Sequence, residues 1–322
     1  METPIRWGMI GCGAVTEMKS GPAYQLTPDF ELVAVMARNK ERAQHYAERH
    51  GVPHFLDNAD DVIFNNDIDA IYIATPPDSH THFGLKVAAA GKPCCIEKPL
   101  APTFAESTTL VNAFKQRNLP LFVAYYRRSL PRFNKIKALI DQGQIGTPRQ
   151  IHWQLSRYPG PQEIAGEYQW RTDKHIAPAG YFDDLASHGL DLFAYLLGNY
   201  QQATGFNLNQ QGYYTASDAV AACWLHQSGV AGTGSWNFGC AKRQDTALIQ
   251  GSHGEIRFAV FADEPIVVES ESGTQEFQIE NPKHIQQYHV KNMRNSLIDR
   301  AQHPSTGDSA LHTSWVMDCI LR

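Results

Sequence analysis

Two glycines near the start of the chain have the spacing of a phosphate-binding turn. The segment GCGAVT follows an apolar run and precedes a helical pattern. Gly11 permits a tight turn, and a side chain at Gly13 would keep the backbone from approaching a pyrophosphate. Ala14 and Val15 offer unpaired N–H groups and the positive end of a helix dipole to the anion. We therefore predict a dinucleotide site here, with Thr16 standing where a third glycine is usual.

The residues after the second predicted strand indicate which dinucleotide binds. An Asp or Glu there would accept a hydrogen bond from the ribose 2′-hydroxyl and repel a 2′-phosphate. Residues 36–40 read MARNK, with no carboxylate before Glu41. Arg38 can pair with a phosphate through two guanidinium N–H groups. The pattern favours NADP over NAD, and the alternative is that Arg38 belongs to an exposed basic loop.

A lysine and an aspartate–histidine pair are the candidates for proton transfer. Lys98 follows a predicted strand, so we expect it at the carboxyl edge of a sheet, where doubly wound folds bind ligands. Asp184 and His188 have the i, i+4 spacing that shares one face of a helix. An imidazole acts as an acid or a base near neutral pH, and a carboxylate can orient it. These groups suit oxidation of an alcohol, in which a nicotinamide takes the hydride and a base takes the proton.

Each of these residues also has an ordinary structural interpretation. Lys98 would then be a solvated surface lysine, and Asp184 and His188 would be a pair on an exposed helix surface. Asp191 falls on the same polar side of that helix, which makes a metal site a further alternative. We predict no metal, because the chain signals no other ligand near these three side chains.

The elements that must position these residues differ between the two parts of the chain. In the first 124 residues short apolar runs alternate with helical patterns, which predicts crossover connections and a parallel sheet covered on both faces. This is an α/β fold of the doubly wound Rossmann type. The predicted strands are 5–10, 31–36, 70–74, 94–96 and 121–124, and the predicted helices are 14–26, 39–50, 78–90 and 103–117.

The rest of the chain has a different order of elements. Helices at 131–142 and 182–197 flank a strand at 149–157, successive strands fill 201–279, and helical patterns follow at 284–300 and 309–322. Runs of consecutive strands predict an α+β domain with a large, mainly antiparallel sheet. We therefore expect a Rossmann domain at 1–124, which binds NAD(P), and a substrate-binding and oligomerisation domain at 125–322.

Five segments resemble the signature motifs of the Gfo/Idh/MocA oxidoreductases. They are IATPPDSH at 73–80, AGKP at 90–93, IEKPL at 96–100, WR at 170–171 and GYFDDLASH at 180–188. They occur in the order of that family, and the EKP element is specific. Because an Ala-Arg pair follows the second strand, the chain looks most similar to the NADP-linked dihydrodiol and aldose dehydrogenase branch.

The resemblance implies roles for particular residues. Lys98, Asp184 and His188 are expected to be catalytic and, with Arg128, to contact the substrate. The implied reaction is NADP(H)-dependent hydride transfer to or from a hydroxyl or carbonyl carbon of a sugar, cyclic polyol or dihydrodiol. A non-catalytic regulator that senses NAD(P), or an NAD-dependent glycoside hydrolase of the same fold, remains the alternative. The further residues implied to lie at the cofactor are Thr75, Pro76, His80, Glu97, Lys98, Trp170 and Arg171.

Composition excludes several classes of partner. The chain has 322 residues and a net charge of −5 without a run of basic residues, so we expect no binding to nucleic acid or to a membrane. No apolar run approaches the roughly 20 residues of a membrane span. The start lacks a basic, apolar leader pattern, and the six cysteines form no ligand or CxxC spacing, which predicts a cytoplasmic protein. A small carbohydrate-like substrate and a homodimer or homotetramer are expected.

Overall fold

A computed structural model describes residues 4–322. The chain forms two compact units. The first comprises the residues up to Leu130 together with Pro282–Leu311, and the second comprises Pro131–Asn281 and His312–Arg322. The chain thus returns to the first unit after completing most of the second.

The first unit is built on a six-stranded sheet in which every neighbouring pair is parallel. The order β3-β2-β1-β4-β5-β6 reverses between β1 and β4, the switch point at which doubly wound sheets bind ligands. The predicted Rossmann architecture is confirmed. The strands are β1 (Ile5–Ile10), β2 (Phe30–Met36), β3 (His54–Leu56), β4 (Ala70–Ile73), β5 (Cys94–Ile96) and β6 (Leu121–Val123).

The second unit is built on an eight-stranded sheet of order β14-β13-β12-β11-β7-β10-β9-β8. Its neighbouring strands are antiparallel except for β7 and β10, which run parallel. The predicted large, mainly antiparallel sheet is confirmed. The strands are β7 (Pro148–Ser156), β8 (Tyr200–Leu208), β9 (Ala219–His226), β10 (Ala231–Asn237), β11 (Gln244–Gly251), β12 (Gly254–Phe258), β13 (Ile266–Ser270) and β14 (Gly273–Phe277).

Helices cover both faces of the first sheet and one face of the second. In β4, Ile71 and Ile73 belong to one buried apolar cluster, whereas Tyr72 belongs to another on the opposite face. The helices are α1 (Ala14–Met18), α2 (Gly21–Leu26), α3 (Lys40–His50), α4 (Ala59–Ile63), α5 (His80–Ala89), α6 (Phe104–Lys115), α7 (Pro131–Asp141), α8 (Pro161–Ile164), α9 (Ser187–Leu197), α10 (Gln287–Asp299) and α11 (Gly307–Leu321).

A close approach holds α9 against the large sheet. A Cβ at Gly189 would lie 2.3 Å from the indole of Trp153 on β7. Trp153 is fully buried and meets the rings of Phe193 and Trp236 edge-on, at 5.4 Å in each case. Only a glycine leaves room for this contact, which fixes the start of α9 relative to the sheet.

The single helix predicted over 14–26 is wrong. The structure breaks it into α1 and α2, with the junction at Lys19 and Ser20. Pro22 has no N–H to donate to the carbonyl of Met18, and its ring would clash with that carbonyl in a continuous helix, whereas it is tolerated in the first turn of α2. Two further departures are the elements β3 and α4, which the sequence pattern missed, and a π-helical turn at Phe182–Ala186 where an α-helix was predicted.

The described residues contain neither a membrane-spanning helix nor a cluster of metal-binding side chains. Among residues 4–322, no helix combines the length and apolar character needed to cross a membrane. Within the same residues, no three His, Cys, Asp or Glu side chains are grouped so that they could hold a metal ion. The six cysteines are free, and three of them, Cys12, Cys94 and Cys95, are buried.

Two buried histidines predict that acid destabilises the fold. His226 Nδ1 donates to Gly198 O (2.6 Å), and its Nε2 accepts from the Trp224 indole (3.1 Å). Burial lowers the pKa of His226 to about 4, and it lowers the pKa of His303 in the other unit to about 4 as well. Both imidazoles are therefore neutral when folded, whereas an unfolded histidine takes up a proton below about pH 6.5.

Stability is therefore full above about pH 6.5 and is lost as the pH falls toward 4, by about 1.4 kcal/mol per pH unit for each histidine. Urea unfolding between pH 7 and pH 5 measures this loss. In His226→Gln, the amide preserves a donor and an acceptor. The number of protons taken up on unfolding in this pH range is expected to fall by one. An unchanged pH dependence would contradict the assignment.

Candidate functional site

The glycine turn after β1 has the conformation that a pyrophosphate requires. Gly11 has φ +107°, and a Cβ there would lie 2.8 Å from the carbonyl oxygen of Ala74. Gly13 is the N-cap of α1, and no atom lies within 4 Å of the place that its Cβ would take. The space in front of the turn is open, and helix geometry leaves the N–H groups of Ala14 and Val15 without intrahelical partners. These residues fit a dinucleotide phosphate.

Two guanidinium groups lie near the end of β2. Arg38 is exposed directly after the buried Ala37. Asn39 caps α3 by accepting the N–H of Arg42 (2.7 Å), and Arg42 Nε donates to the carbonyl of Cys12 in the glycine turn (3.0 Å). Arg42 was not among the predicted site residues. The sequence signal that could have indicated Arg42 is its position in the first turn of α3, three residues after the N-cap Asn39.

The loop after β4 is tied to the loop after β5 by a buried histidine. His80 is fully buried, with Nε2 2.8 Å from Thr75 O and Nδ1 2.9 Å from Pro99 O. Burial lowers its pKa, whereas the two carbonyl oxygens raise it. Thr75 also accepts a hydrogen bond from Ser79 (2.6 Å), and Pro76 precedes the short turn that leads into α5. His80 thus holds together the two loops that bear Thr75 and Lys98.

Lys98 follows β5 at the carboxyl edge of the sheet, as predicted. The preceding Glu97 is buried, and its Oε1 accepts hydrogen bonds from Tyr72 Oη (2.8 Å) and Gln286 Nε2 (2.7 Å). Its Oε2 lies 3.3 Å from the backbone N–H of Lys98. Burial raises the pKa of Tyr72, so its hydroxyl keeps the proton that it donates. The backbone that bears Lys98 is therefore fixed by the Glu97 carboxylate, which itself accepts three hydrogen bonds.

Arg128 lies in a short turn after β6 and is almost wholly buried. Its guanidinium donates to the carbonyl of Pro304 at 3.2 Å, within the first unit. This contact connects the end of the parallel sheet to the segment that returns from the second unit.

In the second unit, the structure brings together Trp170, Arg171 and Asp184. Arg171 Nε donates to Asp184 Oδ2 at 2.6 Å, and the guanidinium lies 4.2 Å from the ring centroid of Trp170. Asp184 lies in the π-helical turn and is mostly buried. The neighbouring Asp183 accepts the N–H of Ala179 (2.9 Å), and burial, with a contribution from Asp184, raises the pKa of Asp183 to about 7.

His188 lies in the first turn of α9 and is 4% exposed. Its ring meets that of Phe261 at 5.9 Å between centroids, with the planes 80° apart. Asp191 was predicted on the same polar side of the helix. It is fully buried and accepts a hydrogen bond from Thr313 of α11 (3.1 Å), so this interaction holds two helices together.

A doubly wound parallel sheet with a glycine turn after its first strand is the architecture of a dinucleotide-binding domain. The family described as "Oxidoreductase family, NAD-binding Rossmann fold" matches residues 5–125, and the "GFO/IDH/MocA C-terminal domain" matches residues 133–257. The chain belongs to the Gfo/Idh/MocA family and is an NAD(P)-dependent oxidoreductase.

Named relatives agree with this membership. "Oxidoreductase P35" of Formosa agariphila is 36% identical over 321 residues, which cover 99% of this chain and 98% of that one. Levoglucosan dehydrogenase of Pseudarthrobacter phenanthrenivorans is 29% identical over 226 residues, covering 68% of this chain and 54% of that one. A solved levoglucosan dehydrogenase in complex with NADH superposes with a TM-score of 0.90 at 22% identity, covering 98% of this chain and 96% of the other, which shows the shared fold.

Proposed function

We propose that this protein is an NADP(H)-preferring dehydrogenase or reductase acting on a hydroxyl or carbonyl carbon of a sugar, cyclic polyol or dihydrodiol. The observation that carries the proposal is Lys98, held at the carboxyl edge of the parallel sheet by the buried Glu97. A lysine fixed there serves ligand chemistry, because doubly wound sheets bind ligands outside the carboxyl ends of their strands.

The nicotinamide supplies the hydride chemistry at its C4 atom. In oxidation, the Lys98 ammonium donates a hydrogen bond to the reacting hydroxyl oxygen, and His188 takes the proton released there. In reduction, the same two groups return a proton to the carbonyl oxygen. Asp184, paired with Arg171, contacts the substrate from the π-helical turn that precedes α9, and Arg128 is the further substrate-binding residue.

The cofactor-binding role belongs to the Rossmann part of the chain, assigned as 1–124, and the substrate and oligomerisation roles belong to 125–322. Gly11, Gly13, Ala14 and Val15 receive the pyrophosphate. The open space beside Gly13 supports this assignment. The other residues assigned to the cofactor are Thr75, Pro76, His80, Glu97, Lys98, Trp170 and Arg171.

The substrate class is supported by the names of relatives, which include a levoglucosan dehydrogenase, a scyllo-inositol 2-dehydrogenase and a D-xylose 1-dehydrogenase. The aligned regions cover 54 to 55% of the length of those three proteins. A first experiment offers levoglucosan, scyllo-inositol and D-xylose with NADP⁺ and follows absorbance of the reduced nicotinamide. Net reduction of NADP⁺ in the presence of one of these compounds supports a dehydrogenase. Hydrolysis of a nitrophenyl glycoside without net reduction would indicate a hydrolase instead, and binding of NADP⁺ without turnover of any of these compounds would favour a sensor.

Two features support the preference for NADP over NAD. Ala37 has no carboxylate that would repel a 2′-phosphate, and the guanidinium groups of Arg38 and Arg42 can attract one. Replacing Ala37 by Asp puts a negative charge where a 2′-phosphate would lie. We expect Ala37→Asp to weaken NADP⁺ binding by about 100-fold, or about 2.7 kcal/mol, and to strengthen NAD⁺ binding.

Fluorescence titration with each dinucleotide measures both constants. The matched control is Ala37→Asn, because Asn has the size of Asp but no charge. Its affinity for NADP⁺ is expected to fall by less than about tenfold. Tighter binding of NAD⁺ than of NADP⁺ by the unaltered protein would overturn this preference.

Assembly as a homodimer or homotetramer is proposed through the open face of the large sheet. That face holds a groove of about 560 Å³, whose lining combines small side chains, among them Ala221, Cys223 and Thr233, with larger ones such as His152. Phe206 at its margin is 79% exposed. Light scattering tests this assignment, and the mass of a single chain would contradict it. The six free cysteines support the cytoplasm as the place of action.

A further inference from the structure

The turn that follows β12, residues 259–264, is held by a buried carboxylate. Asp245 on β11 accepts the backbone N–H groups of three consecutive residues of the turn, and its Oδ1 also accepts from the indole of Trp153 (3.1 Å). A carboxylate with four donors is fully saturated, and hydrogen bonds to a charge are stronger than neutral ones. The three backbone donors are Val260 (3.2 Å), Phe261 (2.5 Å) and Ala262 (3.0 Å).

A buried guanidinium holds the carbonyl groups of the same turn. Arg132 on α7 is 3% exposed and forms an ion pair with Asp263 (3.4 Å). Burying two charges to fix one short turn is costly unless each is well paired, so the turn is built to keep one conformation. The carbonyls that accept from Arg132 are those of Ala259 (3.4 Å), Ala262 (2.9 Å) and Glu264 (2.9 Å).

What this turn presents is the ring of Phe261. The ring is stacked on Trp153 at 6.4 Å between centroids, with the planes 24° apart, and it meets the imidazole of His188 at 5.9 Å, nearly perpendicular. Trp153 is itself fixed on β7 by its hydrogen bond to Asp245. One chain of contacts therefore runs from the two buried charges through Phe261 to His188, all within the second unit.

We propose that Phe261 is a positioning residue for His188, held in place for that purpose by Asp245 and Arg132. The inference rests on the proposed role of His188 in proton transfer. A group that transfers a proton must keep its orientation within roughly 10–20° of the productive one. The perpendicular ring of Phe261 restricts rotation of the imidazole and covers that side of it.

The kinetic test compares the half-buried Phe261 with the buried Phe258. Phe261→Leu is expected to lower kcat by about tenfold with KM within about twofold, because it loosens the proton-transferring group and leaves substrate binding intact. Phe258→Leu, in β12 and packed on Phe133, is the control for lost stability and is expected to keep kcat within about twofold. Phe261→Tyr, which keeps the ring, is expected to retain kcat within about twofold. The assay uses NADP⁺ and whichever of levoglucosan, scyllo-inositol and D-xylose is oxidised.

Two further measurements separate positioning from loss of structure. In the His188→Asn background, Phe261→Leu should have no additional effect, since it acts only through the imidazole. In protein labelled with ¹³C-histidine, NMR relaxation of the His188 ring should show greater mobility in Phe261→Leu and be unchanged in Phe258→Leu. Asp245→Asn should also lower kcat. In the double variant of Asp245→Asn and Phe261→Leu, the fold-loss of kcat should be smaller than the product of the two single losses.

The possible failures are distinguishable. If His188→Asn lowers kcat but Phe261→Leu has the kcat and the His188 ring mobility of the unaltered protein, the proposed function stands and this inference is overturned. An equal loss of kcat in Phe258→Leu and Phe261→Leu also overturns it. If His188→Asn keeps its kcat, the proposed role of His188 fails, and the inference fails with it.

Discussion

Replacing Lys98 by Met is expected to lower kcat by about 10³-fold while the Kd for NADP⁺ changes by less than about threefold. Met has a similar length and reaches the same space, but it has no N–H to donate to the reacting oxygen. The glycine turn and the residues after β2 are untouched, so binding of the dinucleotide should persist. Stopped-flow absorbance gives the rate of reduction, and fluorescence titration gives the Kd.

The matched control for this substitution lies at the other end of the same strand. Lys92 precedes β5, and its Nζ donates to Asn65 O at 2.6 Å, away from the carboxyl edge. Lys92→Met is expected to keep kcat within about twofold. A Lys98→Met variant that turned over as fast as Lys92→Met would remove Lys98 from the mechanism.

Replacing His188 by Asn is expected to lower kcat by about 10²- to 10⁴-fold, the range found for loss of a general acid or base. Asn preserves a polar side chain of smaller size but cannot exchange a proton near neutral pH. The pH dependence of kcat should lose the limb that belongs to the imidazole. Steady-state rates between pH 5 and pH 9 measure both effects, with acid unfolding monitored in parallel.

An exposed histidine of the same unit provides the control for His188. His253 follows β11 and contacts Ser252 at 2.9 Å. His253→Asn should keep kcat within about twofold and an unchanged pH profile. If the profile of His188→Asn matched that of His253→Asn, another group would have to handle the proton.

Local signals predicted much of the first unit. Helix α3 begins after Asn39 and ends at Gly51, which has φ +65°, as its capping residues indicated. Buried parallel strands produce short apolar runs, so β1 and β5 have the predicted bounds. The helix at 14–26 was wrong because Pro22 outweighs the apolar pattern around it. Nothing in the local pattern indicated that residues 282–311 would pack with the first unit.

The candidate site was predictable only where its chemistry is local in sequence. The glycine turn and the lysine after β5 are short motifs in a fixed strand context, and they lie where expected. The pairs Arg42 with Cys12, Arg171 with Asp184, and Phe261 with His188 join different elements. A single sequence carries no signal for such pairings, because tertiary packing alone brings these side chains together.

The central claim is net hydride transfer between a carbohydrate carbon and the nicotinamide. Its most direct test supplies NADP⁺ together with whichever of levoglucosan, scyllo-inositol and D-xylose the protein oxidises. The compound is deuterated at its carbinol carbons, and NMR locates the label in the products. We expect one deuterium at C4 of each NADPH formed, and about 10³-fold less NADPH from Lys98→Met in the same time. Consumption of the sugar with no deuterium in the cofactor would contradict it.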